Sequence, residues 1–161
     1  MLFRSRMSQK LERLHQAFTH TLLLAGRQWR RAANGVVEAH GLSDATALPL
    51  ILIGRLDNRP RQNALAEAVG IEGPSLVRLL DQLCAAGLVV RKEDPTDRRA
   101  KILSLTPAGQ QTVARMEAEL DDLRERVFAG VDVADLEASL RVFQALQKHS
   151  LENAERVETA E

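Results

Sequence analysis

Ser75, Arg78 and Gln82 stand three and four residues apart, so on a helix they share one face. Those side-chain types can read base pairs. An arginine donates two hydrogen bonds to guanine O6 and N7, a glutamine pairs similarly with adenine, and a serine hydroxyl reaches a phosphate or a base edge. Pro74 and Ser75 would open that helix, where the dipole favours phosphate oxygens. Further on, Asp97 precedes Arg98 and Arg99, and an arginine at a hairpin tip can enter a narrow minor groove, where the potential is most negative. Taken singly, an arginine on a helix is mostly a solvated charge, and two arginines in a turn are a charged loop. Their order along the chain gives them weight.

Other chemistries find little support. His15, His20, His40 and His149 are dispersed and match no metal-ligand or triad spacing. Gly70 and Gly73 belong to a short turn rather than to a phosphate-binding loop. The chain has no tyrosine to act as acid or base. No enzyme, cofactor or metal is therefore expected. Cys84 is the single cysteine, which excludes an intrachain disulfide framework and fits a reducing compartment. A reactive thiol usually needs an electropositive, accessible setting such as a helix N-terminus. Cys84 falls late in its helix, which favours packing over redox sensing.

The elements that must position these groups are legible from spacing. Leu11, Leu14, Phe18, Leu22, Ala25, Trp29, Ala32 and Val36 recur at steps of three and four, one stripe of a long helix from about Ser8 to Ala39. Gly41 is placed to end it and Ser43 to cap a second helix reaching about Asp57, with Pro49 inside it. Asn58-Arg59-Pro60-Arg61 then breaks the chain. Gln62 to Val69 makes two helical turns, Gly70 to Gly73 a brief turn, and Pro74 the first position of a helix with Leu76, Leu79, Leu80 and Leu83 inward, ending at Gly87. Leu88–Lys92 and Lys101–Leu105 read as strands flanking Asp94-Pro95-Thr96-Asp97, whose proline and aspartates are turn chemistry. Thr106-Pro107 caps and opens a long helix with a heptad seam at Val113, Met116, Leu120, Leu123 and Val127. Gly130 ends it, Asp132 caps a last helix through Leu136, Leu140, Phe143 and Leu146, and a polar tail frays from about Glu152.

This order, mostly α with a small β-hairpin, is a winged helix-turn-helix. It implies N- and C-terminal dimerisation helices at 1–42 and 106–161 around a DNA-binding module at 43–105. The fold suits DNA because the major groove admits one α-helix while the hairpin reaches sideways to the backbone or minor groove. A whole-chain charge of zero hides an asymmetry. Residues 1–54 carry seven basic and three acidic groups, residues 55–101 nine and seven, and residues 102–161 six and twelve. Positive potential is needed only where phosphate is met. No apolar run approaches the roughly 20 residues of a membrane span. The N-terminal Met1–Met7 has arginines without an apolar stretch behind them, so no secretory signal is expected and the chain is placed in the cytoplasm.

The residues Ile71-Glu72-Gly73-Pro74-Ser75-Leu76-Val77-Arg78, continuing Leu79-Leu80-Asp81-Gln82-Leu83 and Gly87-Leu88-Val89, resemble the MarR family, and within it the SlyA-like branch. So do Asp94-Pro95-Thr96-Asp97-Arg98-Arg99-Ala100-Lys101 and Leu105-Thr106-Pro107-Ala108-Gly109. The resemblance is strongest over residues 62–110. It implies a homodimer presenting two modules to a palindromic double-stranded operator. It also implies contacts from Pro74, Ser75 and Arg78 in the recognition helix and from Arg98 and Arg99 in the wing, with Asp97 orienting an arginine. Gly73 stands where a bulkier polar residue is common, and Cys84, Ala85 and Ala86 replace a usually charged helix end, which leaves the site preference open.

The stripes from Leu11 to Val36 and from Val113 to Val127 look too long for the small module to cover, so a second copy is the expected cover. The resemblance further implies a small aromatic or lipophilic anion as effector, for which His15, Phe18, Trp29 and Arg30 are candidates. Trp29 and Phe18 lie on the apolar stripe, which favours ordinary core packing over ligand contact. Two other functions stay open: a winged-helix protein–protein adaptor that binds no DNA, and a thiol-based redox-sensing regulator. Arginines at both groove-facing positions favour DNA over the adaptor.

Overall fold

The computed structural model describes residues 2–56 and 59–158, which hold six helices and one two-stranded antiparallel hairpin. The first helix, α1 (Leu2–Ala39), begins before the expected Ser8. No glycine or proline lies between Leu2 and Ser8, and each added residue extends the ladder by one hydrogen bond. Only its C-terminal end enters the core. Ala33 and Val37, one turn apart, are buried, with Trp29 and Val36 packed beside them. Leu11 and Leu14 remain 52% and 55% exposed.

Gly41, at φ +72°, turns the chain and lets Leu42 N–H donate to Val37 O. Ser43 then caps α2 (Asp44–Arg55) in a reciprocal box: Thr46 N–H donates to Ser43 Oγ, and Ser43 N–H donates to Thr46 Oγ1 at 3.0 Å. The helix ends at Arg55, short of the expected Asp57. Asp57 and Asn58 lie outside the described residues. Pro49 sits inside α2 as expected and is buried, and α2 is the hub of the module, packed against α1, α3, α4 and the hairpin.

Two short helices follow, α3 (Gln62–Val69) and α4 (Gly73–Ala85). Gly70 closes α3 in the left-handed region at φ +74°. Glu72, not Gly73, is the N-cap of α4, so Pro74 occupies the second helical position rather than the first. The shift costs nothing, because the first four N–H groups of a helix all lack intrahelical partners. Leu76, Leu80 and Leu83 are fully buried, whereas Leu79, expected with them, is half-buried. Strands β1 (Val89–Glu93) and β2 (Lys101–Leu105) pair with Val89 opposite Leu105 and Glu93 opposite Lys101.

The expected break at Asn58–Arg61 is partly a third strand-like segment. Leu103 N–H donates to Pro60 O at 3.0 Å, and Arg61 bridges Ile102. A proline argues against a strand in sequence, yet at an edge its missing N–H can face away while its carbonyl pairs.

Helix α5 (Pro107–Val127) is tied to the end of α4. Thr106 Oγ1 accepts from Gly109 N–H at 3.0 Å and donates to Gly87 O at 2.7 Å, and Thr106 N–H donates to Leu88 O. The heptad seam corrects one expectation. Met116 and Leu120 are buried in the chain's own core together with Leu50, Ile53, Leu65 and Leu103, and only the end of the seam, at Val127, is exposed. The chain divides into two compact units, the first through Leu123 and the second from Arg124. In the second, α6 (Val133–Glu158) starts beside Asp132, whose carbonyl accepts from Asp135 and Leu136 N–H. The expected fraying from Glu152 is not seen: residues 152–158 contain no glycine or proline and are helical to Glu158. Residues 159–161 lie outside the described residues. Among the described residues no single helix is long and apolar enough to cross a membrane; α1 and α2 pass that test only jointly, across a 79° bend.

A Cβ at Gly109 would lie 2.1 Å from Leu88 O, a backbone atom that no rotamer change can move. Gly109→Ala should therefore cost about 3 kcal/mol of stability, the upper range for overpacking, read as a fall in thermal midpoint against the parent at equal concentration.

Candidate nucleic-acid interface

Rotation of α4 decides which side chains face outward. With Leu76, Leu80 and Leu83 in the core, Pro74, Ser75, Arg78 and Gln82 are all exposed. The four sequence-selected residues thus share the solvent side of one helix about 20 Å long at 1.5 Å per residue. Asp81, between Arg78 and Gln82, accepts a 2.9 Å hydrogen bond from the Arg91 guanidinium on β1. This strut between helix and hairpin was not foreseen. The signal available was an exposed strand arginine ten residues after an exposed helix aspartate, which spacing alone cannot join.

The hairpin tip is a tightly bonded turn. Asp94 N–H donates to Ala100 O, Asp97 N–H to Asp94 O, and Ala100 N–H to Asp97 O. The Asp97 carboxylate accepts from the backbone N–H of Arg99 at 3.1 Å, so Asp97 meets an arginine through its main chain rather than its guanidinium. Arg98 and Arg99 are exposed. Among the described residues neither they nor Arg78 joins an ion pair, whereas Arg55, Arg61, Arg91 and Lys101 each do. Cations without internal carboxylates are the ones available to phosphate.

Asp94 is the buried anchor of this turn. Its carboxylate accepts from Thr96 Oγ1 at 2.6 Å and Thr96 N–H at 2.8 Å, and lies 2.6 Å from the Arg61 guanidinium. The hydrogen bonds from Thr96, aided by Arg61, lower its pKa from the ordinary 3.8 to about 2 despite burial. Sequence reading identified Asp94 as turn chemistry but missed Arg61 as its partner, because the two are far apart in the chain. Arg61, Gln62, Asn63, Asp97, Arg99 and Lys101 line a cleft of about 250 Å³ between the start of α3 and the wing.

The candidate effector residues are not gathered within one chain. Trp29 is half-buried against the core and Arg30 lies 4.0 Å from Asp44, while His15 and Phe18 are exposed earlier on α1. His15 and Arg30 are separated by about 22 Å along the helix axis. Cys84 is half-buried against the core near the end of α4, away from the helix N-terminus. Among the described residues no group of three His, Cys, Asp or Glu side chains could hold a metal ion.

A sequence model of the MarR family matches residues 40–100, the span containing α2, both short helices, β1 and the wing tip. The crystal structure of the transcriptional regulator PA3341 is 37% identical to this chain, with a TM-score of 0.76 over 84% of this chain and 98% of that one. The chain belongs to the MarR family. Two further solved structures extend the likeness. A MarR-family regulator from Rhodococcus sp. RHA1 is 26% identical, with TM-score 0.73 over 83% of this chain and 94% of that one. CouR from Rhodococcus jostii RHA1, solved with p-coumaroyl-CoA bound, is 27% identical, with TM-score 0.72 over 78% and 87% of the two chains. This MarR-family protein therefore has the winged helix-turn-helix fold of a transcriptional regulator, with α4 as the second helix of the pair and the β1–β2 hairpin as the wing.

Because the folded-state pKa of Asp94 lies below its unfolded value, its contribution to wing order is present above the unfolded value and lost as pH falls through the folded one. The Thr96 amide resonance should hold constant from neutral pH down to about 4 and then change with a midpoint near pH 2. In Asp94→Asn that titration step should be missing.

Proposed function

We propose that this MarR-family protein binds a palindromic DNA operator as a homodimer and regulates transcription in response to a small ligand. The observation that carries the DNA reading is the pairing of an exposed Ser75–Arg78–Gln82 face with a wing whose Arg98 and Arg99 join no ion pair among the described residues. Arg78 would donate to a guanine, Gln82 would read an adenine, Pro74 and Ser75 would sit against phosphate, and the wing would grip the neighbouring backbone or minor groove. A protein–protein adaptor would gain little from exposed arginines at both positions.

Dimerisation is supported by the exposed apolar stripe of α1. Leu11, Leu14 and Phe18 lie on one face, and removing such surface from water is worth about 25 cal/mol per Å². The runs Ile71–Leu83 and Asp94–Lys101 support a place in the SlyA-like branch. The p-coumaroyl-CoA bound by CouR supports an aromatic or lipophilic anion as effector class. His15, Phe18, Trp29 and Arg30 are the residues proposed to meet it, with a second copy needed to enclose a site, since one chain leaves them spread along α1.

Selecting duplexes from random sequence with the purified protein should yield a two-fold symmetric site bound by two chains. Against that site, Arg78→Ala should cost about 1–3 kcal/mol and relax base choice at one position per half-site. Arg98→Ala with Arg99→Ala should weaken all sequences alike and flatten the salt dependence by about 0.9 per lost phosphate contact. A protein showing no salt-sensitive affinity for any duplex would sink the DNA reading.

Titration with aromatic carboxylates and aromatic acyl-CoA thioesters should raise the thermal midpoint and weaken operator binding, and Trp29→Ala should abolish both effects. If no member of either class shifts the midpoint, the effector reading is withdrawn and the DNA reading is untouched.

A further inference from the structure

We propose that Arg61 is a positioning residue for the wing: it locks the hairpin onto the start of the helix-turn-helix without itself being a DNA contact. This role rests on the DNA reading above. Arg61 belongs to no element that sequence assigns to the wing, yet it holds it twice. Its backbone bridges Ile102, next to the Leu103 N–H bond to Pro60 O. Its guanidinium spans to the base of the turn, meeting Asp94 Oδ2 at 2.6 Å and Thr96 Oγ1 at 3.3 Å.

Both partners on the turn are already committed. Asp94 also accepts two bonds from Thr96, and the Asp94 backbone accepts from Asp97 and donates to Ala100. Arg61 therefore grips the node from which the whole turn hangs, and Arg98 and Arg99 are carried by that turn. Arg61 is also the N-cap of α3, and Leu65 N–H donates to its carbonyl. One residue thus joins the first helix of the DNA-binding pair to the wing. The Arg91–Asp81 pair joins the same hairpin to α4 at 2.9 Å, so the wing is strutted to both helices.

The neutralised charge argues against direct contact. The nearest carboxylate to the Arg61 guanidinium is only 6% exposed, and a charge-assisted bond at 2.6 Å on a buried acceptor is among the stronger polar contacts a protein makes. An arginine committed in this way is a poorer phosphate ligand than Arg98 and Arg99, which join no ion pair among the described residues. Holding a doubly cationic tip in one pose lowers the ordering cost on binding.

The test uses full-length protein and a duplex recovered by selection from random sequence. Arg61→Gln and Asp94→Asn should each weaken that duplex about tenfold, and the double variant should be no weaker than either single one, as expected for residues acting as one unit. In an Arg98→Ala, Arg99→Ala background, Arg61→Gln should change affinity by less than about twofold. Arg61→Lys, which keeps a cation but not the fork, should recover only part of the loss. Hydrogen exchange without DNA should quicken at Thr96, Asp97 and Ala100 in Arg61→Gln, while Leu76, Leu80 and Leu83 keep parental protection.

A full loss from Arg61→Gln in the wing-arginine background, or an unchanged or tighter Asp94→Asn complex, would make Arg61 a direct phosphate contact and overturn the proposal. Unaltered exchange at the turn would overturn it as well. Failure of the parent to bind any duplex overturns the DNA reading and the positioning role with it, while the exchange measurement still decides whether Arg61 holds the turn.

Discussion

One side of α4 is committed to the core, and every functional assignment on the other side follows from that. Leu76, Leu80 and Leu83 are buried completely beneath α2 and β1. A helix anchored at three points on two successive turns cannot rotate without exposing leucine, so the direction in which Ser75, Arg78 and Gln82 point is set by apolar burial rather than by any polar contact of their own. The glycines at 70 and 87, both with positive φ, fix where this rigid piece begins and ends. The outward face of the helix is thus held in place by groups on its other side.

Much of this was legible in the chain. The α4 stripe, the Ser43 cap, the Gly41 and Gly70 stops and the strands at 89–93 and 101–105 are local signals, carried by residues within a turn or two of one another. What sequence could not supply were the joints between distant segments. Arg61 and Asp94 are far apart in number but touch, as do Arg55 and Glu117 at 2.7 Å, and Arg91 pairs with Asp81 across two elements. Nothing in the periodicity marks these partners, because ion pairs carry no register. The Pro60–Arg61 edge was hidden for a different reason: a segment so short, with a proline in it, has the composition of a loop.

The long helices show where reading a stripe as an interface needs care. Leu11, Leu14 and Phe18 on α1 and Met116 and Leu120 on α5 follow the same spacing, yet the first group is exposed and the second is buried by its own module. Spacing reports that a face is apolar; only the fold tells which neighbour covers it. The apolar face left exposed is accordingly narrower than the sequence implied: it is lost from the first part of α5 but kept by the first part of α1 and, at Leu140 and Leu146, by α6.

The stitching at the foot of the hairpin has a further bearing, on how the length of this wing can vary. Gly109 lies against the Leu88 carbonyl, and Thr106 bonds both Gly87 and Leu88, so the chain entering β1 and the chain leaving β2 are clasped together with no slack. An inserted residue on either side of that clasp would have to break it, whereas extra residues between Asp97 and Ala100 would extend outward into solvent. Lineage-to-lineage elongation or trimming of this hairpin is thereby channelled to its far end, the portion that meets the outside world.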